Sequence, residues 1–137
     1  MCNIRKSFFI YFVLVFFVFS NVNAFSADLR DQKGTTWLTI DSSGTVKRGS
    51  TIIAKFENDG SIRKNGIIVG KIENDGTIKK GGMIIGKVES DGTVKKGGMT
   101  AGKIENDGTV KKSGMSIGKA QGVNKKHAAA CYFFDFF

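Results

Sequence analysis

Histidine and cysteine are almost missing from this chain: there is one histidine, His127, and only one cysteine, Cys131, beyond the first twenty-four residues. An enzyme needs several groups held together. The spacing of four would bring His127 and Cys131 together on a helix, but alanines surround them and no Asn or Asp is at hand to orient the imidazole, so no catalytic residues are expected. A single cysteine cannot close an internal disulfide; stability must come from packing and hydrogen bonds, with Cys131 a buried free thiol. Aromatic residues are equally sparse through the middle of the chain. None recurs with the repeat described below, and no helix-turn-helix or zinc spacing occurs, so nucleic acid is not an expected partner. Also lacking is any stretch long enough for an ordinary helix between turn signals, which excludes a helical solenoid.

Only one long apolar run is present, FFIYFVLVFFVF, preceded by Arg5 and Lys6 and followed by Val22-Asn23-Ala24. Residues 1–24 read as a secretory signal cleaved after Ala24, because the run is short for a bilayer span and polar sequence follows it. Cys2 precedes the run, whereas a lipoprotein signal needs its cysteine after it. The expected mature chain, residues 25–137, has no transmembrane helix and is placed across the inner membrane, in the periplasm or outside the cell. It carries nineteen basic and twelve acidic residues. A net charge near +7 favours polyanions over basic partners, although spread-out lysines also simply keep a β surface soluble.

What the chain has in abundance is repetition. Gly44, Gly60, Gly76, Gly92 and Gly108 are spaced sixteen apart. After each come Thr or Ser, then Val46, Ile62, Ile78, Val94 and Val110, then two basic residues. A Gly-rich turn such as KGG leads to a second apolar stretch, in which Ile53, Val69, Ile85, Ala101 and Ile117 form one column. Phe56, Ile72, Val88, Ile104 and Ala120 form another, and a turn such as ENDG closes the unit. Two short Ile/Val-rich runs alternating with two tight turns make a β-hairpin repeat. The two columns of the second run are three residues apart, so an unbroken strand would send them to opposite faces. A β-bulge at the intervening Gly70, Gly86, Gly102 or Gly118 would restore the phase. Trp37 and Ile40 continue both columns backwards. The chain therefore divides into a lead-in, residues 25–36, a five-repeat β domain, residues 37–120, and a Phe-rich closing segment, residues 121–137.

The residues KIENDGTIKKGGMIIGKVESDG, repeated over residues 37 to 119, the secretory start and the ending IGKAQGVNKKHAAACYFFDFF together resemble the bacterial five-fold β-flower proteins. The resemblance implies an all-β fold of five short petals closed around an axis, in a secreted protein with no known biochemical activity and no cofactor. Closure also agrees with elementary reasoning, since an open array of hairpins leaves two unpaired edges and an apolar face. The alternative is a linear β-solenoid capped by Phe25 to Thr36 and by the tail.

Two surfaces are candidates for function. Lys47, Arg63, Lys79, Lys95 and Lys111 in the first strand of each unit, and Lys55, Lys71, Lys87, Lys103 and Lys119 in the second, would form rings of positive charge able to contact an acidic glycan or a lipid head group. Glu57, Glu73, Glu89 and Glu105 can offset part of that charge. The acidic turns offer too few oxygens, with no second acidic segment beside them, for a calcium site to be expected. The second surface is the tail. Tyr132, Phe133, Phe134, Phe136 and Phe137 either fold back to close one end or dock on an unknown protein partner, another copy or a membrane surface. Overall the sequence points to a non-enzymatic structural or protein-interaction module, with polyanion binding as the alternative.

Overall fold

The computed structural model describes residues 26–137; the secretory signal read in residues 1–24 lies outside the described residues. Twelve strands follow in order: β1 (Ser26–Asp31), β2 (Thr36–Asp41), β3 (Thr45–Arg48), β4 (Thr51–Phe56), β5 (Ser61–Lys64), β6 (Ile67–Ile72), β7 (Thr77–Lys80), β8 (Met83–Val88), β9 (Thr93–Lys96), β10 (Met99–Ile104), β11 (Thr109–Lys112) and β12 (Met115–Gln121). One helix, α1 (Lys125–Phe133), comes last. Each strand pairs antiparallel with the next, and β1 closes the barrel on β12 through Asp28 opposite Gln121 and Leu29 opposite Ala120.

Closure excludes the linear solenoid, and the ring holds six hairpins where the repeat count suggested five. The extra strand comes from the segment expected to be a lead-in. In β1, the alternation of Ala27 and Leu29 with polar neighbours buries both apolar side chains, and the strand caps the edges that β2 and β12 would otherwise leave unpaired.

Turn chemistry fixes the two ends. At the acidic end, Glu73 N–H donates to Thr77 O at 2.8 Å and Gly76 N–H to Glu73 O at 3.0 Å. Asp75 Oδ1 accepts from Thr77 N–H at 2.9 Å. The backbone at Gly76 sits at φ +92°, where an added Cβ would strike Val88 O, so only glycine serves there. At the opposite end Gly81 and Gly82 both have positive φ, as a two-residue turn matched to strand twist requires. Every hairpin from β3–β4 to β11–β12 carries the same irregularity: Val46 faces Ala54 while Lys47 faces Ile52, leaving Ile53 as the extra residue. The bulge therefore falls one residue before the glycine column. It leaves the Ile53 column half-buried against the core, together with the fully inward Ala54 and Phe56 columns.

A twelve-stranded barrel is too wide for wall side chains alone to fill, since about eight strands already saturate that arrangement. The tail supplies the missing volume. Asn124 caps α1 by accepting from Lys126 N–H at 2.9 Å, and Ala128, Ala129 and Ala130 are completely buried. Small residues on successive sides let the helix run inside the wall. At its end and beyond it, Phe133, Phe134 and Phe136 are buried and Tyr132 and Phe137 half-buried.

Candidate functional surfaces

The inward column Leu38, Ala54, Gly70, Gly86, Gly102, Gly118 shrinks where the tail rings arrive. A Cβ on Gly70 would meet Phe136 Cε1 at 2.5 Å, one on Gly102 would meet Phe133 Cζ at 2.5 Å, and one on Gly118 would meet Tyr132 Cε1 at 2.9 Å; on Gly86 it would run into Phe134. Four consecutive hairpins thus each seat one ring on one glycine. Phe137 packs edge-on against Phe56 at 5.7 Å, and Trp37 edge-on against Tyr132 at 5.4 Å. Tyr132 Oη donates to Arg30 O at 2.6 Å, which satisfies its hydroxyl. The docking reading of Tyr132, Phe133, Phe134, Phe136 and Phe137 is corrected accordingly: these rings are wall-filling core, since exposing them would also empty the lumen.

His127 and Cys131 do fall on one helix, but they do not form a reactive pair. His127 stacks on Phe56, ring centres 4.1 Å apart. Burial, with Lys126 beside it, pulls its pKa down. Cys131 is a free thiol whose pKa burial drives far above the ordinary value, which keeps it protonated and unreactive. Around His127 opens a cleft of about 430 Å³, floored by Ala27, Ile40, Phe56 and Ile72 and rimmed by turn residues including Glu57 and Glu73. Lys125 Nζ donates to Asn106 Oδ1 at 2.6 Å and Lys126 Nζ to Asn74 O at 2.7 Å. These bonds tie the start of α1 to two of the acidic-end turns.

On the outer wall, the register sets cations directly opposite one another between neighbouring hairpins: Lys55 with Arg63, Lys71 with Lys79, Lys87 with Lys95 and Lys103 with Lys111. Lys47 lies opposite Thr39 and Lys119 opposite Arg30. Like charges in such positions repel, and one glutamate at each of the four paired junctions offsets part of this. Glu57 reaches Arg63 Nε at 3.3 Å and Lys55 Nζ at 3.7 Å; Glu73 reaches Lys79 Nζ at 3.1 Å and Lys71 Nζ at 4.0 Å. Glu89 pairs with Lys95 at 3.2 Å and Glu105 with Lys111 at 3.4 Å. Each such junction keeps one positive charge in excess of its glutamate, and that charge faces the aspartate of the same turn. The aspartates at the neighbouring turns are held below the usual carboxylate range, Asp75 first by the Thr77 N–H and Asp41 first by the Ser43 hydroxyl.

The end opposite the acidic turns was not singled out from the sequence as a functional surface. Ile52, Ile67, Ile68, Met83, Ile84, Met99 and Met115 stand there between 54 and 75% exposed, all within the first two residues after a hairpin tip. The signal was present in the recurring NGII, GGMI and GGMT, where apolar residues follow the turn before the buried columns begin. Every tip also carries a cation: Lys33, Arg48, Lys64, Lys80, Lys96 and Lys112. Three of these reach inward to carbonyls of the tail, Lys64 to Phe136 O at 3.3 Å, Lys80 to Asp135 O at 3.4 Å and Lys96 to Phe133 O at 3.2 Å.

No family model matches the chain, and neither a curated protein nor a solved structure gives a match. Among the described residues, no helix is long and apolar enough to cross a membrane.

Proposed function

We propose that this protein is a secreted, non-enzymatic structural and interaction module of the five-fold β-flower type, working in the periplasm or outside the cell through its exterior. The observation that carries this reading is the filled lumen: the interior that a lipocalin-like barrel offers to a ligand is occupied by Ala128 to Ala130 and by four rings seated on four glycines. Secretion is supported by the pattern of residues 1–24. The five-unit count of the sequence belongs to the same proposal, the sixth hairpin being the closing device of this chain.

A second reading is favoured by the facing cations of the wall. Lys71 and Lys79, Lys87 and Lys95, and Lys103 and Lys111 form a belt in which the surplus positive charge is regularly spaced, which suits an acidic glycan or a row of head groups. The test is binding to dextran sulfate over a salt series. Retention that falls steeply as salt rises, and is lost on replacing Lys71, Lys79, Lys87 and Lys95 by Gln, is the expected result. Salt-insensitive retention, or none, refutes polyanion binding.

A further inference from the structure

We infer that the apolar, cationic tip end of the barrel docks end-on onto an anionic lipid bilayer. The two ends of the molecule differ sharply. One bears the turn aspartates Asp41, Asp59, Asp75, Asp91 and Asp107, one at each turn of that end. The other bears one cation per tip, six against the two carboxylates Asp31 and Asp135, and, among the described residues, all the exposed large apolar side chains. Two concentric rows form the apolar surface. Ile67, Met83, Met99 and Met115 stand at the strand starts, and Ile52, Ile68 and Ile84 come one residue later. Their exposure is not needed by the wall, because Thr and Ser residues of other hairpins occupy equivalent places at Thr51, Thr100 and Ser116.

Charge complementarity selects the occupant. A second copy docked tip to tip would set two surpluses of positive charge against each other, six cations and two carboxylates on each side. Docked tip to turn, it would press isoleucine and methionine onto aspartate-bearing loops and bury both badly. An anionic bilayer provides what this end requires: hydrocarbon within reach of short apolar tips and phosphate at the depth of the lysines. The acidic end then faces away from the membrane, which repels it. Lys33, Arg48 and Lys112 are exposed and, unlike Lys64, Lys80 and Lys96, have no tail carbonyl to hold; Arg48 and Lys112, whose tips carry no aspartate, are the pair whose replacement tests the contact with head groups.

The inference rests on the reading of a module that acts through its exterior, but uses different residues from the wall belt. Residues 25–137 are used for its test, because both barrel edges are paired within them and the apolar run of residues 1–24 would itself bind lipid. Vesicles of phosphatidylcholine alone, and with roughly one-third phosphatidylglycerol, are sedimented with the protein. Binding to the anionic vesicles only, weakening with salt, is expected. The quadruple variant Ile67→Ser, Ile68→Ser, Met83→Ser, Ile84→Ser should melt as the parent does and bind about a hundredfold more weakly. Arg48→Gln with Lys112→Gln should weaken binding several-fold. No binding to anionic vesicles overturns the inference, as does binding that survives the quadruple substitution. A concentration-dependent rise in mass that the quadruple variant abolishes, without vesicle binding, gives the tip end to a second copy instead. The belt variant separates the two readings: loss of dextran sulfate binding with vesicle binding intact leaves the tip inference standing, and the reverse removes it alone.

Discussion

If the tail is core, removing one ring should cost what removing a core aromatic costs. Phe134 is 2% exposed and lies against Gly86, and Phe134→Ala leaves a void that neither neighbour can close. Gly86 has no side chain, and Ala130 one turn back on α1 has only a methyl. Burial lost plus cavity retained gives about 3 to 5 kcal/mol. Domains of this size hold about 5 to 15 kcal/mol in all, so the variant should still fold but unfold at markedly lower denaturant concentration, with an unchanged slope. A chain ending at Cys131 loses Phe133, Phe134 and Phe136 together. The same reckoning, applied three times, gives about 9 to 15 kcal/mol, as much as domains of this size hold, so cooperative unfolding followed by circular dichroism should disappear. A chain ending at Cys131 that melts within a few degrees of the parent would refute the plugged barrel and return the rings to the surface.

Three further outcomes follow from the interior. Gly102→Ala brings a Cβ against Phe133 and against Lys111 O, and should cost about 1 to 3 kcal/mol; in a Phe133→Leu background it should cost about 1 kcal/mol less, by denaturant titration of the double-mutant cycle. Cys131 should resist a thiol reagent at neutral pH in the folded protein and react fully once unfolded; fast labelling of the native state would contradict its burial. The lowered pKa of His127 means the unfolded chain takes up a proton near its ordinary value of 6.5 that the folded chain refuses, so stability falls as pH drops below about 7 and levels off beneath the depressed value. His127→Phe, which keeps the stack on Phe56, should flatten this slope; the turn aspartates, held low, add a separate loss only at lower pH, as their folded pKa values are crossed.

Much of the wall was legible because its determinants are local. The recurring glycine, the Asp two residues before each following Thr or Ser and the three-residue offset between Ile85 and Val88 fix turns, capping bonds and bulge within one sixteen-residue unit. The sixth hairpin was hidden because Ser26–Asp31 shares no repeat signature. Its membership is decided by what it pairs with, Leu29 across from Leu38 on one side and from Ala120 on the other, and pairing over that distance leaves no periodic mark. The tail posed a different difficulty. YFFDFF is equally suited to a lumen and to a partner, and composition alone does not distinguish them.

The distinguishing information lay in the glycines. Gly70, Gly86, Gly102 and Gly118 each follow directly on the bulged residue, a place that Ala54 and Leu38 fill in their own hairpins with side chains attached. At these four positions a Cβ would also press on a backbone carbonyl of the neighbouring strand, Lys79 O, Lys95 O, Lys111 O or Arg30 O, so wall and tail both close on the same space. Four rings take up the space these glycines leave, on four contiguous hairpins, in the order that Phe136, Phe134, Phe133 and Tyr132 reach them. Near-identical repeats cannot tell a plug which way to face around a ring. The gradient from Leu38 through Ala54 to glycine breaks that symmetry, and Lys64, Lys80 and Lys96 then hold the seated tail by its carbonyls from the far end. The same column that builds the wall thus fixes the plug in one orientation, and in doing so leaves the outer surface, and the cleft beside His127 at one end, as the places where this barrel can meet anything else.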